Sequence, residues 1–98
     1  MNMQAMMRQA QKIQKDMMDI KEQIDKMEFS ATNSLVTVKV NGQKELLEVS
    51  IEKDENFSSD DLEMLQDMIV IATNDAFKQV DKITEEKMGR FASVPGMF

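Results

Sequence analysis

The chain has 98 residues, enough for one small domain, and it carries a formal net charge of −6. It contains no cysteine, histidine, tryptophan or tyrosine, so we predict a protein that is not an enzyme and that holds no cofactor or metal. No apolar run approaches the roughly 20 residues of a membrane span and no signal-peptide pattern opens the chain, which favours the cytoplasm and no membrane partner.

A first helix is predicted over residues 2–28, a stretch without glycine or proline. Its apolar residues follow the alternating three- and four-residue steps of a coiled-coil seam. The seam residues are Met3, Met6, Ala10, Ile13, Met17, Ile20, Ile24 and Met27. The pattern indicates either a dimeric coiled coil or one face of a helix that packs against its own chain.

Three cations of this helix lie on the face opposite the seam. In the heptad register Arg8 and Lys15 take position f and Lys12 takes position c, and no acid occurs in residues 1–15. The acidity is concentrated later, because residues 45–67 hold nine acids and one lysine. The cationic stripe is either a phosphate-binding edge or an ordinary solvated helix face.

An antiparallel sheet is predicted over residues 29–52. Alternating apolar residues predict strands at 36–40 and 47–51, and residues 29–32 form a shorter third strand. An Asn-Gly pair at positions 41 and 42 favours a two-residue hairpin turn, which pairs Val36 with Leu47.

A second helix is predicted over residues 58–88, with Ser58 as its N-cap and Asp61 three residues further on. Gly89 suits a left-handed helix end, and residues 89–98 are predicted to form an irregular tail. The order of helix, three-stranded antiparallel sheet and helix places the chain in the α+β class as a single domain over residues 1–98.

Five short motifs follow one another along the chain. They are MMRQAQKIQ at 6–14, VTV at 36–38 with the Asn-Gly pair, DLEMLQDMI at 61–69, NDA at 74–76 and VPGMF at 94–98. Together they resemble the YbaB/EbfC family of bacterial nucleoid-associated proteins. The family's glycine-rich turn before the second strand is replaced here by Thr32, Asn33 and Ser34.

The resemblance implies a tweezer-like homodimer that binds duplex DNA in the nucleoid with little sequence specificity and without catalysis. Its basic N-terminal residues are kept at Arg8, Lys12 and Lys15. Cations near the end of the second helix could join them at the helix tips, or could simply complement the helix dipole. These cations are Lys78, Lys82, Lys87 and Arg90. Replication or repair proteins encountered on DNA are further candidate partners.

An alternative function is a protein-binding adaptor or chaperone-like coiled-coil dimer without direct nucleic-acid binding. It accounts for the acidic composition and the 11 methionines without DNA. No aromatic platform accompanies the basic residues, so base stacking on single strands is not expected. Asn74 and Asp75 hydrogen-bond either across a dimer or to the sheet, and the sequence leaves both arrangements open.

Overall fold

The computed structural model describes residues 2–91, and its element order confirms the predicted α+β class. The molecule is 72 Å long and only 19 by 14 Å across. In chain order it contains α1 (Met3–Asp25), β1 (Glu28–Asn33), β2 (Val36–Asn41), β3 (Leu46–Ile51), a 3-10 turn (Ser59–Asp61), α2 (Leu62–Met88) and a second 3-10 turn (Gly89–Phe91).

The first helix is shorter than predicted at its C-terminal end. It begins after Asn2, whose side-chain oxygen accepts the backbone amide of Gln4 at 3.0 Å. It ends at Asp25 because the amide of Met27 bonds to the carbonyl of Ile24 and the chain then turns into β1. Met27 therefore lies outside the helix, and the helical part of the seam ends at Ile24.

The sheet has the order β1-β2-β3, and both strand pairs are antiparallel. The helix α2 packs on β1 and β2, so Val36, Val38 and Val40 of the central strand are fully buried. Every residue of β3 is exposed, although its apolar residues pair directly with those valines. The core therefore lies between α2 and two of the three strands.

The predicted hairpin register is wrong. Val36 pairs with Ile51 rather than Leu47, and the ladder has an irregularity between Lys39 and Val40. The strands are joined by a four-residue connection, whereas a two-residue turn was predicted. From Val36 to Lys39 the pairing is shifted by four residues, an even number, so the apolar side chains of this part stay on the same face of the sheet.

The asparagine of the predicted turn builds the longer loop. The Asn41 side-chain oxygen accepts the backbone amides of Gln43 at 2.9 Å and Glu45 at 3.0 Å, a local bond pattern that asparagine forms readily. Lys44 then takes the left-handed region with φ 61°. The loop closes through the amide of Asn41, which donates to the Glu45 carbonyl at 3.1 Å.

Both ends of the second helix differ from the prediction. The first predicted residues form a 3-10 turn instead, where the Asp61 carboxylate accepts the amide of Ser58 at 2.9 Å. Gly89 has φ −58°, a right-handed value, and the chain continues into the second 3-10 turn rather than ending in a left-handed residue. The rest of the predicted tail, residues 92–98, lies outside the described residues.

Gly42 fixes the distance between α1 and the hairpin. A Cβ atom at this position would stand 1.7 Å from the Ile24 carbonyl oxygen, and the Gly42 amide donates to the Met27 carbonyl at 3.0 Å. We expect Gly42→Ala to lower the free energy of unfolding by about 1–3 kcal/mol, measured by urea denaturation. The matched Gly89→Ala has open space and helical φ, and should leave stability unchanged or raise it. Equal stabilities of the two variants would contradict this role for Gly42.

Candidate nucleic-acid interface

The N-terminal half of α1 projects from the rest of the molecule. The cleft between the two helices is lined by residues from the C-terminal parts of both, such as Met17, Ile24, Val80 and Met88. With this short overlap and a molecule 72 Å long, the helices must point in opposite directions. We call residues 3–15 the arm; apart from Ile13, all of its side chains are exposed.

The arm presents the predicted cationic stripe without neutralising partners. Arg8, Lys12 and Lys15 are exposed, and they span about 10 Å along the helix at 1.5 Å per residue. The ion pairs within residues 2–91 involve Lys21, Lys39 and Lys44 instead. Three free cations on one exposed helix face can approach the phosphates of a duplex without first breaking an ion pair.

The four cations of α2 divide into two groups. Lys87 and Arg90 share a shallow hollow with Glu86 and with Ile20 and Gln23 of α1, so the fold brings this pair to the part of α1 that follows the arm, which we call the base of the arm. The Arg90 guanidinium stacks on the ring of Phe91, 4.6 Å from its centroid.

The second group lies further from the arm. Lys78 and Lys82 are exposed and one helical turn apart, toward the sheet. Lys78 stands about 18 Å from Arg90 along the helix axis. The structure therefore brings two of the four predicted α2 cations to α1 and leaves the other two apart.

Charge is separated along the length of the molecule. Residues 1–15 carry +3 without an acid, from one arginine and two lysines. Residues 45–67 carry −8, from nine acids and one lysine, and they form β3, the loop after it and the start of α2. Because the N-terminal ends of the two helices point in opposite directions, the basic arm and the acidic start of α2 occupy opposite ends.

The structure exposes an apolar row on β3, the strand that was predicted to share an apolar face with β2. Leu46, Leu47, Val49 and Ile51 are 39–52% exposed, because α2 does not extend over this edge strand. Further exposed apolar residues lie on α2, and they are Leu62, Met64, Val70 and Ile71. Alternation along β3 gives the orientation of these side chains but contains no information about what covers them.

A cleft of about 460 Å³ lies where α1, α2 and the β2–β3 loop meet. Its floor includes the buried Ile24 and Val80. At its rim Lys21 pairs with Asp25 at 3.3 Å, and Lys44 of the loop pairs with Asp81 of α2. The first pair lies within α1, and the second joins the β2–β3 loop to α2.

The described residues 2–91 include no helix that is both long and apolar enough to cross a membrane. Within the same residues, no three histidine, cysteine or acidic side chains are placed to hold a metal ion together.

Comparison with known proteins identifies relatives along the whole chain. The sequence model of the YbaB/EbfC DNA-binding family matches residues 1–95. A nucleoid-associated protein of Oceanobacillus iheyensis is 46% identical over 102 residues, covering 99% of this chain and 97% of the relative. The nucleoid-associated protein YaaK of Bacillus subtilis is 49% identical over 75 residues, covering 74% of this chain and 69% of the relative.

A solved structure shares the fold. The crystal structure of an uncharacterized protein from Helicobacter pylori superposes with a TM-score of 0.75, covering 95% of this chain and 99% of the other. At 19% sequence identity this similarity shows the arrangement of helices and strands alone.

Proposed function

Because this chain belongs to the YbaB/EbfC DNA-binding family, we propose that it binds duplex DNA as a homodimer, mainly through phosphate contacts with little sequence specificity. The resemblance predicted from the five motifs is confirmed by the family match. We treat residues 1–98 as one domain, and the family indicates a binding protein rather than an enzyme.

The observation that carries this proposal is the exposed cationic face of the arm. Arg8, Lys12 and Lys15 have no carboxylate partner among residues 2–91, and the arm itself contains no acid. A row of side chains that contacts phosphates positions a protein on DNA but carries no sequence information. Lys87 and Arg90 at the base of the arm are secondary contacts, and Lys78 and Lys82 are more distant candidates.

The homodimer is supported by the apolar row on β3. An edge strand with exposed apolar side chains is a surface that soluble proteins normally cover. A two-fold axis beside β3 places the same row of each copy in one interface, as symmetric dimers require. Such a dimer carries two arms and six arm cations, in keeping with a tweezer-like shape.

The location that follows is the bacterial nucleoid, as the names of the relatives state for those proteins. DNA is then the principal partner, and replication or repair proteins are partners met on it. The acidic start of α2 faces away from the duplex in this arrangement. Repulsion between this segment and DNA keeps binding weak and sensitive to salt.

The test is a fluorescence-anisotropy titration of a random-sequence duplex at 50 and 200 mM salt. With up to six phosphates neutralised per dimer, the log-log salt slope is about −5, so the association constant falls about 10³-fold between these salt concentrations. Two unrelated duplexes of equal length should bind with the same affinity. Absence of binding at 50 mM salt would overturn the proposal and favour the protein-binding adaptor.

A further inference from the structure

The arm has a second face, opposite its cations, that the proposed phosphate contacts leave bare. Met3, Met6 and Ala10 continue the stripe whose later members, Met17 and Ile24, lie against the end of α2. Met3 is 76% exposed and Met6 is 51% exposed. Within the described residues the stripe is therefore packed at one end and uncovered at the other.

The charges around this bare face are suited to a second, identical helix. The positions that flank the seam of a coiled coil, e and g, are the ones that set partner choice. In the arm they are the uncharged Met7, Gln9 and Gln14, and the uncharged Asn2 directly precedes it. An identical helix can approach such a face without like charges meeting, whereas DNA finds no cation on it.

We infer that the bare face of the arm pairs with the same face of a second copy bound beside it, so that copies assemble cooperatively along one duplex. This inference rests on the proposed DNA binding. The cations point away from the paired faces, so they remain available to phosphates on the outside of the pair.

The short length of the face makes the pairing dependent on DNA. It covers two heptads, fewer than the roughly three to four that sustain a coiled coil by themselves. Two arms of +3 also repel each other in free solution. A duplex neutralises both arms and holds them close together, which raises their effective concentration.

Two alanines of the arm provide a matched pair of positions for the test. Ala10 lies on the bare face, Ala5 lies outside it at heptad position c, and both are exposed. The chain has no cysteine, so Ala10→Cys and Ala5→Cys each create a single thiol without altering charge. Each variant is oxidised with a copper catalyst, with and without a 60-base-pair duplex, and disulfide-linked dimers are measured on a denaturing gel.

We expect Ala10→Cys to form about tenfold more cross-linked dimer with the duplex than without it, and about tenfold more than Ala5→Cys under the same conditions. Equal yields from the two variants would overturn the inference. So would a yield from Ala10→Cys that is the same without DNA, because the arms would then pair within a preformed dimer. If the thiol introduced by Ala10→Cys is protected from oxidation but forms no cross-links, something other than a second arm covers the bare face. This result would also overturn the inference.

A second variant tests cooperativity directly. Met3→Gln/Met6→Gln changes two exposed side chains and no charge, so the fold and the salt slope should be unchanged. The Hill coefficient on a long duplex should fall to 1, while affinity for a duplex that holds a single dimer should stay the same. Failure of the unaltered protein to bind any duplex would instead overturn the proposed function.

Discussion

Replacement of Arg8, Lys12 and Lys15 with glutamine is expected to remove most of the DNA affinity and leave the fold intact. The three side chains are exposed and make no ion pair within residues 2–91, so the free energy of unfolding should change by less than about 0.5 kcal/mol. Each lost phosphate contact removes about 0.9 from the log-log salt slope, so the slope should move from about −5 toward zero. Anisotropy at 50 mM salt should show at least about a 100-fold weaker association.

A control with the same net charge separates local contacts from overall electrostatics. Lys26→Gln/Lys53→Gln/Gln66→Glu lowers the net charge from −6 to −9, as the arm variant does, at exposed positions outside the arm that form no ion pair within residues 2–91. This control should retain most of the affinity and nearly the full salt slope. Equal losses in the two triple variants would show that DNA responds to total charge, and would remove the arm from the proposed interface.

Placement of a charge on the exposed row of β3 is expected to separate the proposed dimer into folded monomers. Ile51 is 52% exposed, so covering it in the interface stabilises the dimer by about half of the 1.5–3 kcal/mol that a fully buried side chain contributes. The two-fold axis doubles this contribution, because each copy supplies one Ile51. Ile51→Glu also forces a carboxylate out of water. Together these effects should raise the dissociation constant at least about 100-fold, measured by sedimentation velocity.

Met18→Glu is the matched control for this prediction, because Met18 is 65% exposed on α1, away from β3. It should leave the dimer intact. Circular dichroism should show the same secondary structure in both variants. A dimer that survives Ile51→Glu with unchanged affinity would place the subunit contact elsewhere.

The hairpin illustrates which parts of the fold could be predicted from the sequence. Alternation identified both strands, since it reports directly on which face each side chain occupies. The pairing was wrong because a shift by an even number of residues preserves that face, so hydrophobic pattern alone cannot distinguish the two registers. The deciding contacts are the hydrogen bonds that the Asn41 side-chain oxygen accepts from the backbone amides of Gln43 and Glu45. The sequence does not reveal them, because an Asn-Gly pair favours the shorter turn equally well.

The seam shows a similar division within the candidate site. Its heptad spacing places the cations opposite the apolar stripe, because both positions follow from helix geometry alone. The same spacing could not show that α2 reaches Met17 but leaves Met3 and Met6 bare, since this depends on where two helices separated by a sheet overlap. The uncovered β3 row escaped prediction for the same reason.

The separation of charge along the 72 Å axis has a consequence for DNA that is already occupied. Copies that attach by their arms turn their acidic ends outward, so a row of them gives the duplex a new anionic outer shell. Two such filaments repel on close approach, over a distance of about 8 Å at physiological ionic strength. If the proposed binding mode holds, we therefore expect the bound protein to space neighbouring duplexes apart and to oppose their condensation into bundles, which a uniformly basic protein would promote.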